Sequence, residues 1–307
     1  MKVITSLLFA FILGFGHLLA QPALEAPATK SHAPTVAENA LLWRISGMGL
    51  STTSYLYGTI HMIGKEDFFL TDSTRSAIER AKLVTFEINM EDMMNLPAQM
   101  GLMMKSFMAG GQSLSSLLSK EDYALVKAHF DKQGLPLFLF ERMKPMFLTV
   151  LADADMSGGL GGDGDMVSYE MKIMDIAQQQ KKKMGGLETA EYQMSMFDSI
   201  PYEEQAQMLV ESIKSSGTGD GGQFDEMVKL YKNQDIVGMG TMMGEDESIG
   251  KHEDLLLNQR NRNWIPIMGE MMLAQPTFFA VGAGHLGGEQ GVVSLLRNAG
   301  YTVEPVR

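Results

Sequence analysis

Near its C-terminus the chain carries Gln275-Pro-Thr-Phe-Phe-Ala-Val-Gly-Ala-Gly-His-Leu-Gly-Gly-Glu289, in which a strand-forming apolar run breaks at glycine and presents one histidine, His285. Near its start stands the same design, Tyr55-Leu-Tyr-Gly-Thr-Ile-His61. Aromatic and β-branched residues favour extended backbone, and glycine removes the Cβ that would obstruct a sharp turn. Both stretches therefore read as a strand followed by Gly-x-x-His. Strand ends are where rigid scaffolds present reactive groups. The two histidines are expected to meet in space and form the core of a candidate active site, with the two ends of the chain folded back on each other.

Between these ends the pattern alternates strands and helices. Ala40-Leu-Leu-Trp-Arg-Ile-Ser46 and Thr53 to Tyr57, separated by Gly47-Met-Gly49, read as a hairpin. Asp72 or Ser73 caps a helix running to Lys82. Leu83 to Met90 alternates, with Val84, Phe86 and Ile88 on one face and Thr85, Glu87 and Asn89 on the other. That alternation leaves Glu87 either solvent-facing or functional. Residues 91–150 read as helical and rich in methionine. Ser119 opens a helix that Gly134 stops, and His129 on it reads as a surface or core histidine.

Ser157-Gly-Gly-Leu-Gly-Gly-Asp-Gly-Asp165 reads as a flexible loop, either a mobile lid or plain surface. It lacks the Lys and Ser/Thr of a phosphate cradle and the closing Glu of an EF-hand. Gly185 to Glu191 reads as the start of a helix, which puts Glu188 and Glu191 in or near its first turn, where acidic groups suit the helix dipole. Phe224 to Asn233 reads as a short helix and 238–250 as loop. His252 to Ala274 is the longest helix expected, with Leu257, Asn261, Trp264, Met268 and Met271 along one face, Arg260 beside that face, and Pro266 as a kink. A helix to Asn298 and a strand from Tyr301 to Val306 close the chain.

Composition removes several function classes. With 45% hydrophobic and 20% charged residues, the 307-residue chain can bury a core. A net charge of −12 argues against a nucleic-acid partner, whose phosphates would be repelled. The 27 methionines are spread over helices and read as adaptable packing. With no cysteine there is neither a lipoprotein anchor nor a disulfide. Lys2, the apolar run Val3 to Leu13 and the small residue Ala20 make residues 1–20 read as a secretory signal peptide, short for a membrane span. The expected location is periplasmic or secreted; a membrane is involved only if this segment stays uncleaved. Residues 21–38, rich in Pro, Ala and Thr, read as a flexible linker, and 39–307 as the folded part.

Histidine and glutamate supply the nitrogen and oxygen donors of Zn and Mn sites. A metal with three protein ligands keeps one position open for water, whose pKa it lowers while polarising a carbonyl. Without metal, a histidine can act as general base, oriented by Glu87. No HExxH motif and no Gly-x-Ser-x-Gly elbow is present. Arg260 is costly to bury without a carboxylate or an anionic ligand. It can hold a substrate carboxylate, clamp an oxyanion, orient an acid, or form a structural salt bridge.

Leu42-Trp-Arg-Ile-Ser46, Tyr55 to His61, Phe86-Glu87, Gly186-Leu-Glu-Thr189 with Glu191, Arg260-Asn261 with Trp264, and Val281-Gly-Ala-Gly-His-Leu286 together resemble the TraB/GumN family, related to the Tiki metalloproteases. The resemblance covers roughly residues 40 to 306. It implies an α/β (α+β) fold, with a central mixed sheet flanked by helices, two related halves and a helical insertion between the terminal motifs. It also implies a metal-dependent, peptidase-like site acting on a peptide or protein. His61, Glu87 and His285 match the family's paired histidines and acidic residue, here the ligands of a divalent ion (Mn, Zn or Co). Glu188, Arg260 and Asn261 match further family positions and complete the expected catalytic set with Glu87, and Asp165 matches an aspartate of the family pattern. Two alternatives stand beside this: a metal-free His/Glu hydrolase of the esterase type, and a non-catalytic protein that sequesters a peptide signal.

Overall fold

In the computed structural model, six strands form one mixed sheet: β1 (Leu42–Ser46), β2 (Ser54–Thr59), β4 (Leu83–Ile88), β6 (Lys183–Glu188), β7 (Thr277–Gly282) and β8 (Thr302–Val306). Their order across the sheet is β6-β4-β7-β2-β1-β8. The structure describes residues 32–90, 96–153, 166–217, 222–245 and 250–307. The segment 1–20, residues 21–31 of the expected linker, and the glycine-rich loop with Asp163 and Asp165 lie outside the described residues.

The expected hairpin is present, with Leu42 opposite Tyr57 and Ile45 opposite Ser54, and β8 extends it antiparallel. The other pairings, β2 with β7, β7 with β4 and β4 with β6, are all parallel. Parallel strands covered by helices on both faces are apolar throughout. Every residue of β2 is accordingly buried, as are Thr277 to Val281 of β7. Thr85 is buried too, so the alternation in β4 separates two covered faces rather than core from solvent.

Among the described residues, twelve helices accompany the sheet: α1 (Asp72–Arg80), α2 (Leu96–Lys105), α3 (Leu114–Leu117), α4 (Lys120–Lys132), α5 (Pro145–Asp153), α6 (Tyr169–Gln179), α7 (Ala190–Phe197), α8 (Tyr202–Gly217), α9 (Gly222–Lys232), α10 (Ile236–Glu245), α11 (Gln259–Ala274) and α12 (Val292–Asn298). One core lies along the sheet around Trp43, Tyr57, Phe86, Trp264, Phe278 and Phe279. A second, formed by Leu114, Val126, Phe130, Leu148, Leu209 and Ile213, belongs to the inserted helices α3, α4, α5 and α8. His129 is structural, with Nε2 bonded to the Ala152 carbonyl. Among the described residues, no helix is long and apolar enough to cross a membrane.

Four segments differ from the sequence reading. Lys183 to Glu188 is a strand, not a helix start, and the helix begins at Ala190, capped by the Thr189 hydroxyl on Tyr192 N. Of the strand's two glycines, Gly186 serves close packing: a Cβ there would lie 2.5 Å from Asn89 N. Of the stretch 238–250, expected as loop, the residues to Glu245 belong to α10, which is anchored by buried Ile236 and Met239. The long C-terminal helix opens with a π-helical turn, Asp254–Asn258. The end of the expected linker packs on the domain, where Glu38 pairs with Arg297 at 2.7 Å.

Candidate functional site

The four parallel strands end on one edge of the sheet, and each delivers a candidate group there. β2 leads to His61, β4 carries Glu87 as its last residue but one, β6 ends on Glu188, and β7 leads through Gly282 to His285. The carboxyl edge of a parallel sheet is where ligands of α/β folds bind. The first Gly-x-x-His glycine works differently from the sequence expectation. Gly58 lies inside β2, and a Cβ there would come within 3.0 Å of the Ala283 Cα and a Leu286 methyl. It lets the second histidine turn pack directly on the first strand.

Arg260, on α11, is the hub. Its Nε and NH2 both donate to Glu188 Oε1, at 2.9 and 2.6 Å, and NH2 also donates to Glu87 Oε2 at 2.5 Å. NH1 donates to the Leu256 carbonyl of the π-helical turn at 3.1 Å and to His285 Nε2 at 3.2 Å. The guanidinium faces Trp264 at 4.9 Å, and the Trp264 Nε1–H donates to Glu188 Oε2 at 3.0 Å. Arg260, Glu188 and His285 are nearly closed off from solvent. The guanidinium thus has the carboxylate partners its burial requires.

His285 packs against Trp264, the ring centroids 4.5 Å apart and the planes tilted by 42°, and sets its Nδ1 2.6 Å from Asn261 Oδ1. Asn261 Nδ2 donates to the Gln290 carbonyl, so Oδ1 is the acceptor and the imidazole carries its proton on Nδ1. Burial pushes the ring down to about 3, with Glu87 opposing that and Arg260 adding to it. A neutral ring with Nδ1 engaged turns the Nε2 lone pair to the cluster, 3.6 Å from Glu87 Oε1. Glu87 is fixed by the Gly282 N–H at 2.8 Å and the Gln193 amide at 3.1 Å. Burial alone would raise its carboxyl, but His285, Arg260 and His61 more than offset this and hold it well below the usual range.

His61 stands apart from this cluster, its side chain 77% exposed, with Nδ1 3.1 Å from Glu170 Oε1. The Glu170 carboxylate pushes the ring up to about 9. Glu170 is itself held by the hydroxyls of Thr59 and Ser168. It reaches His61 because β3 (Met62–Gly64), just after the histidine, pairs antiparallel with β5 (Met166–Ser168), just before Glu170. Among the described residues, no group of three or more His, Cys, Asp or Glu side chains is placed to hold a metal ion, so His61, Glu87 and His285 do not form a ready three-ligand set.

Five of the candidate residues, Glu87, Glu188, Arg260, Asn261 and His285, are in one hydrogen-bonded cluster. Glu170 and Gln193 escaped the sequence reading. Gln193 lies three residues after Ala190 in α7, and its link to Glu87 has no local signature.

The family model described as TraB/PrgY/gumN matches residues 41–305. Metalloprotease TIKI1 of Danio rerio is 22% identical, over 91% of this chain and 66% of that protein. Metalloprotease TIKI2 of Danio rerio and Metalloprotease TIKI1 of Homo sapiens are each 21% identical, over 87% of this chain. The chain spans 61% and 62% of their lengths, so all three relatives extend well beyond it. No solved structure matches the chain.

Proposed function

Because the chain belongs to the TraB/PrgY/gumN family, we propose that it is a peptidase-like hydrolase that works at the carboxyl edge of its sheet. Glu87 and His285 are its central groups, and a divalent ion (Mn, Zn or Co) is its cofactor. The observation that carries this reading is the His285–Glu87 pair. Asn261 holds the ring so that Nε2 faces Glu87 Oε1 across 3.6 Å. Two donors bound tetrahedrally to one ion sit about 3.4 Å apart, given metal–ligand distances of about 2.1 Å. A ligating histidine commonly gives its other N–H to an acceptor that fixes the tautomer, as Asn261 and Glu170 do for the two histidines. Two carboxylates face one guanidinium, which leaves negative charge to attract a cation.

Glu87 and His285 would hold such an ion between them, and His61, which stands apart on Glu170, would join as a third ligand only by moving inward. A bound ion would supply Lewis acidity toward a water and a carbonyl. Glu188 grips Arg260 through two nitrogens and keeps it beside the reacting groups. Its NH1 contacts, to Leu256 and His285, are the longest and are those it would exchange for a substrate oxyanion. The name metalloprotease borne by the relatives supports a peptide or protein substrate, and the Lys2-led apolar segment supports export.

Elemental analysis tests this beside a His61→Ala, His285→Ala variant. The wild type should bind divalent metal stoichiometrically, and the variant should not. Peptide hydrolysis should stop on chelation and return with metal. A wild type that binds no metal and hydrolyses peptides despite chelator would refute it. One observation favours a metal-free alternative: Arg260 NH1 already occupies the Nε2 lone pair. In that case His285→Ala abolishes activity while chelators leave it unchanged.

A further inference from the structure

Beside Glu87 lies a second feature that the hydrolase reading leaves unused. A cavity of about 250 Å³ opens between α2, α5 and α7. Its floor includes Ile88, the residue after Glu87, and one wall is Gln193, whose amide donates to Glu87 Oε2. The remaining walls are mostly apolar, from Leu102, Met103, Phe147 and Phe197, the last two packed edge to face.

We propose that this cavity is a specificity pocket that takes an apolar side chain of a peptide, such as leucine, methionine or phenylalanine, beside the reacting bond. This rests on the peptidase reading. An apolar cavity of about 150 Å³ accepts a benzene ring, so this one has room for such a side chain. Among the described residues, none that lines it is charged. Its polar members among the described residues each already donate a hydrogen bond: the Ser106 hydroxyl to the Met103 carbonyl at 2.7 Å, and a Gln193 amide N–H to Glu87 at 3.1 Å. A charged side chain entering here would lose water and meet no opposite charge among the described lining residues. Methionine at two of the wall positions, Met103 and Met194, lets the pocket adapt to side chains of different shape. The link through Gln193 ties whatever fills the pocket to the position of Glu87.

The methionines also report the test. In full-length protein with ¹³C-methyl methionine, Met103→Leu and Met194→Leu assign the two pocket resonances. N-acetyl-leucinamide and N-acetyl-phenylalaninamide should shift those two saturably, and N-acetyl-aspartamide should not. Ala190→Leu, which pushes a larger side chain into the pocket wall, should weaken binding about tenfold or more, as expected when apolar complementarity is lost. The other methionine resonances should stay in place and show that the variant is folded. Equal shifts with the acidic amide, or unchanged binding in folded Ala190→Leu, would overturn the pocket. Hydrolysis of a mixed peptide library is read separately. Selective binding without any turnover sinks the peptidase reading and leaves the pocket standing. Turnover indifferent to neighbouring side chains, and unchanged in Ala190→Leu, sinks the pocket alone.

Discussion

Replacing Arg260 by methionine should cost more than any other single change at the site. The guanidinium makes five contacts, three to carboxylates, and its side chain is 8% exposed. Glu188 is 5% and Glu87 13% exposed, so neither can recover much hydration when the arginine goes. Removing one partner of a buried ion pair costs about 3–5 kcal/mol, most of it from the stranded charge. At about 2–4 °C per kcal/mol for a chain of this size, the melting temperature should fall by roughly 6–20 °C. Urea denaturation of chelator-treated protein measures the loss, provided the slope is unchanged. The decisive comparison is a double-mutant cycle. Glu188→Gln removes the stranded charge and retains an oxygen for the Trp264 N–H. Added to Arg260→Met, it should restore stability; added to the wild type, it should destabilise. A coupling of about 1–3 kcal/mol is expected from residues in direct contact. Strict additivity, or a loss near the ~1 kcal/mol of a surface pair, would refute the buried-pair argument.

Asn261→Leu orphans the buried His285 Nδ1–H, at about 1–3 kcal/mol for a buried group left unpaired; its denaturation midpoint should drop accordingly. Gly186→Ala drives a Cβ to 2.5 Å from Asn89 N and 2.9 Å from Ile88 C, whereas Gly185→Ala meets nothing nearer than 3.6 Å. The first should lose about 1–3 kcal/mol or more by overpacking and the second little, with both read from denaturation midpoints. His285 titrates well below its ordinary 6.5 when folded, because burial favours the neutral ring. Its contribution is therefore complete above pH 6.5 and is lost as pH falls toward 3. Between pH 6.5 and 5 the loss is roughly 2 kcal/mol, at about 1.4 kcal/mol per pH unit. Glu87, held below its ordinary 4.5, adds its own loss only at lower pH. Metal-free wild type should lose more stability than His285→Gln between pH 7 and 5, and equal losses would contradict the buried neutral ring.

What the sequence revealed and concealed follows the range of the interactions. The β1–β2 hairpin was legible because alternation and a glycine turn are local signals, and both are satisfied by immediate neighbours. β7 was legible because a strand covered on both faces must be apolar throughout. β6 was not, since Lys183-Met-Gly-Gly-Leu-Glu188 has no β-branched residue and its pairing is imposed by β4. Glu188 was singled out and yet placed on the wrong kind of element. The acid that holds His61 was missed because two three-residue strands, far apart in sequence, bring Glu170 to it. Arg260 beside the apolar face of α11 was visible from helical spacing. The carboxylates it would meet were not, because they arrive from two other strands.

The two histidines show why a repeated motif need not mean a repeated role. Each follows a Gly-x-x, each leaves one of the adjacent strands β2 and β7, and each commits Nδ1 to an acceptor. The acceptor and the surroundings then separate them. His285 meets a neutral amide oxygen in a buried setting beside a guanidinium, and these conditions hold the ring neutral. His61 meets a carboxylate at an open surface, which favours the protonated ring. Environments that push like groups apart in this way are how one site obtains both an acceptor and a donor of protons. The neutral ring lies inside the Arg260 cluster, next to Glu87, and the cationic ring at its exposed margin. The asymmetry between two sequence-alike turns comes from Glu170 and Asn261, not from the turns themselves.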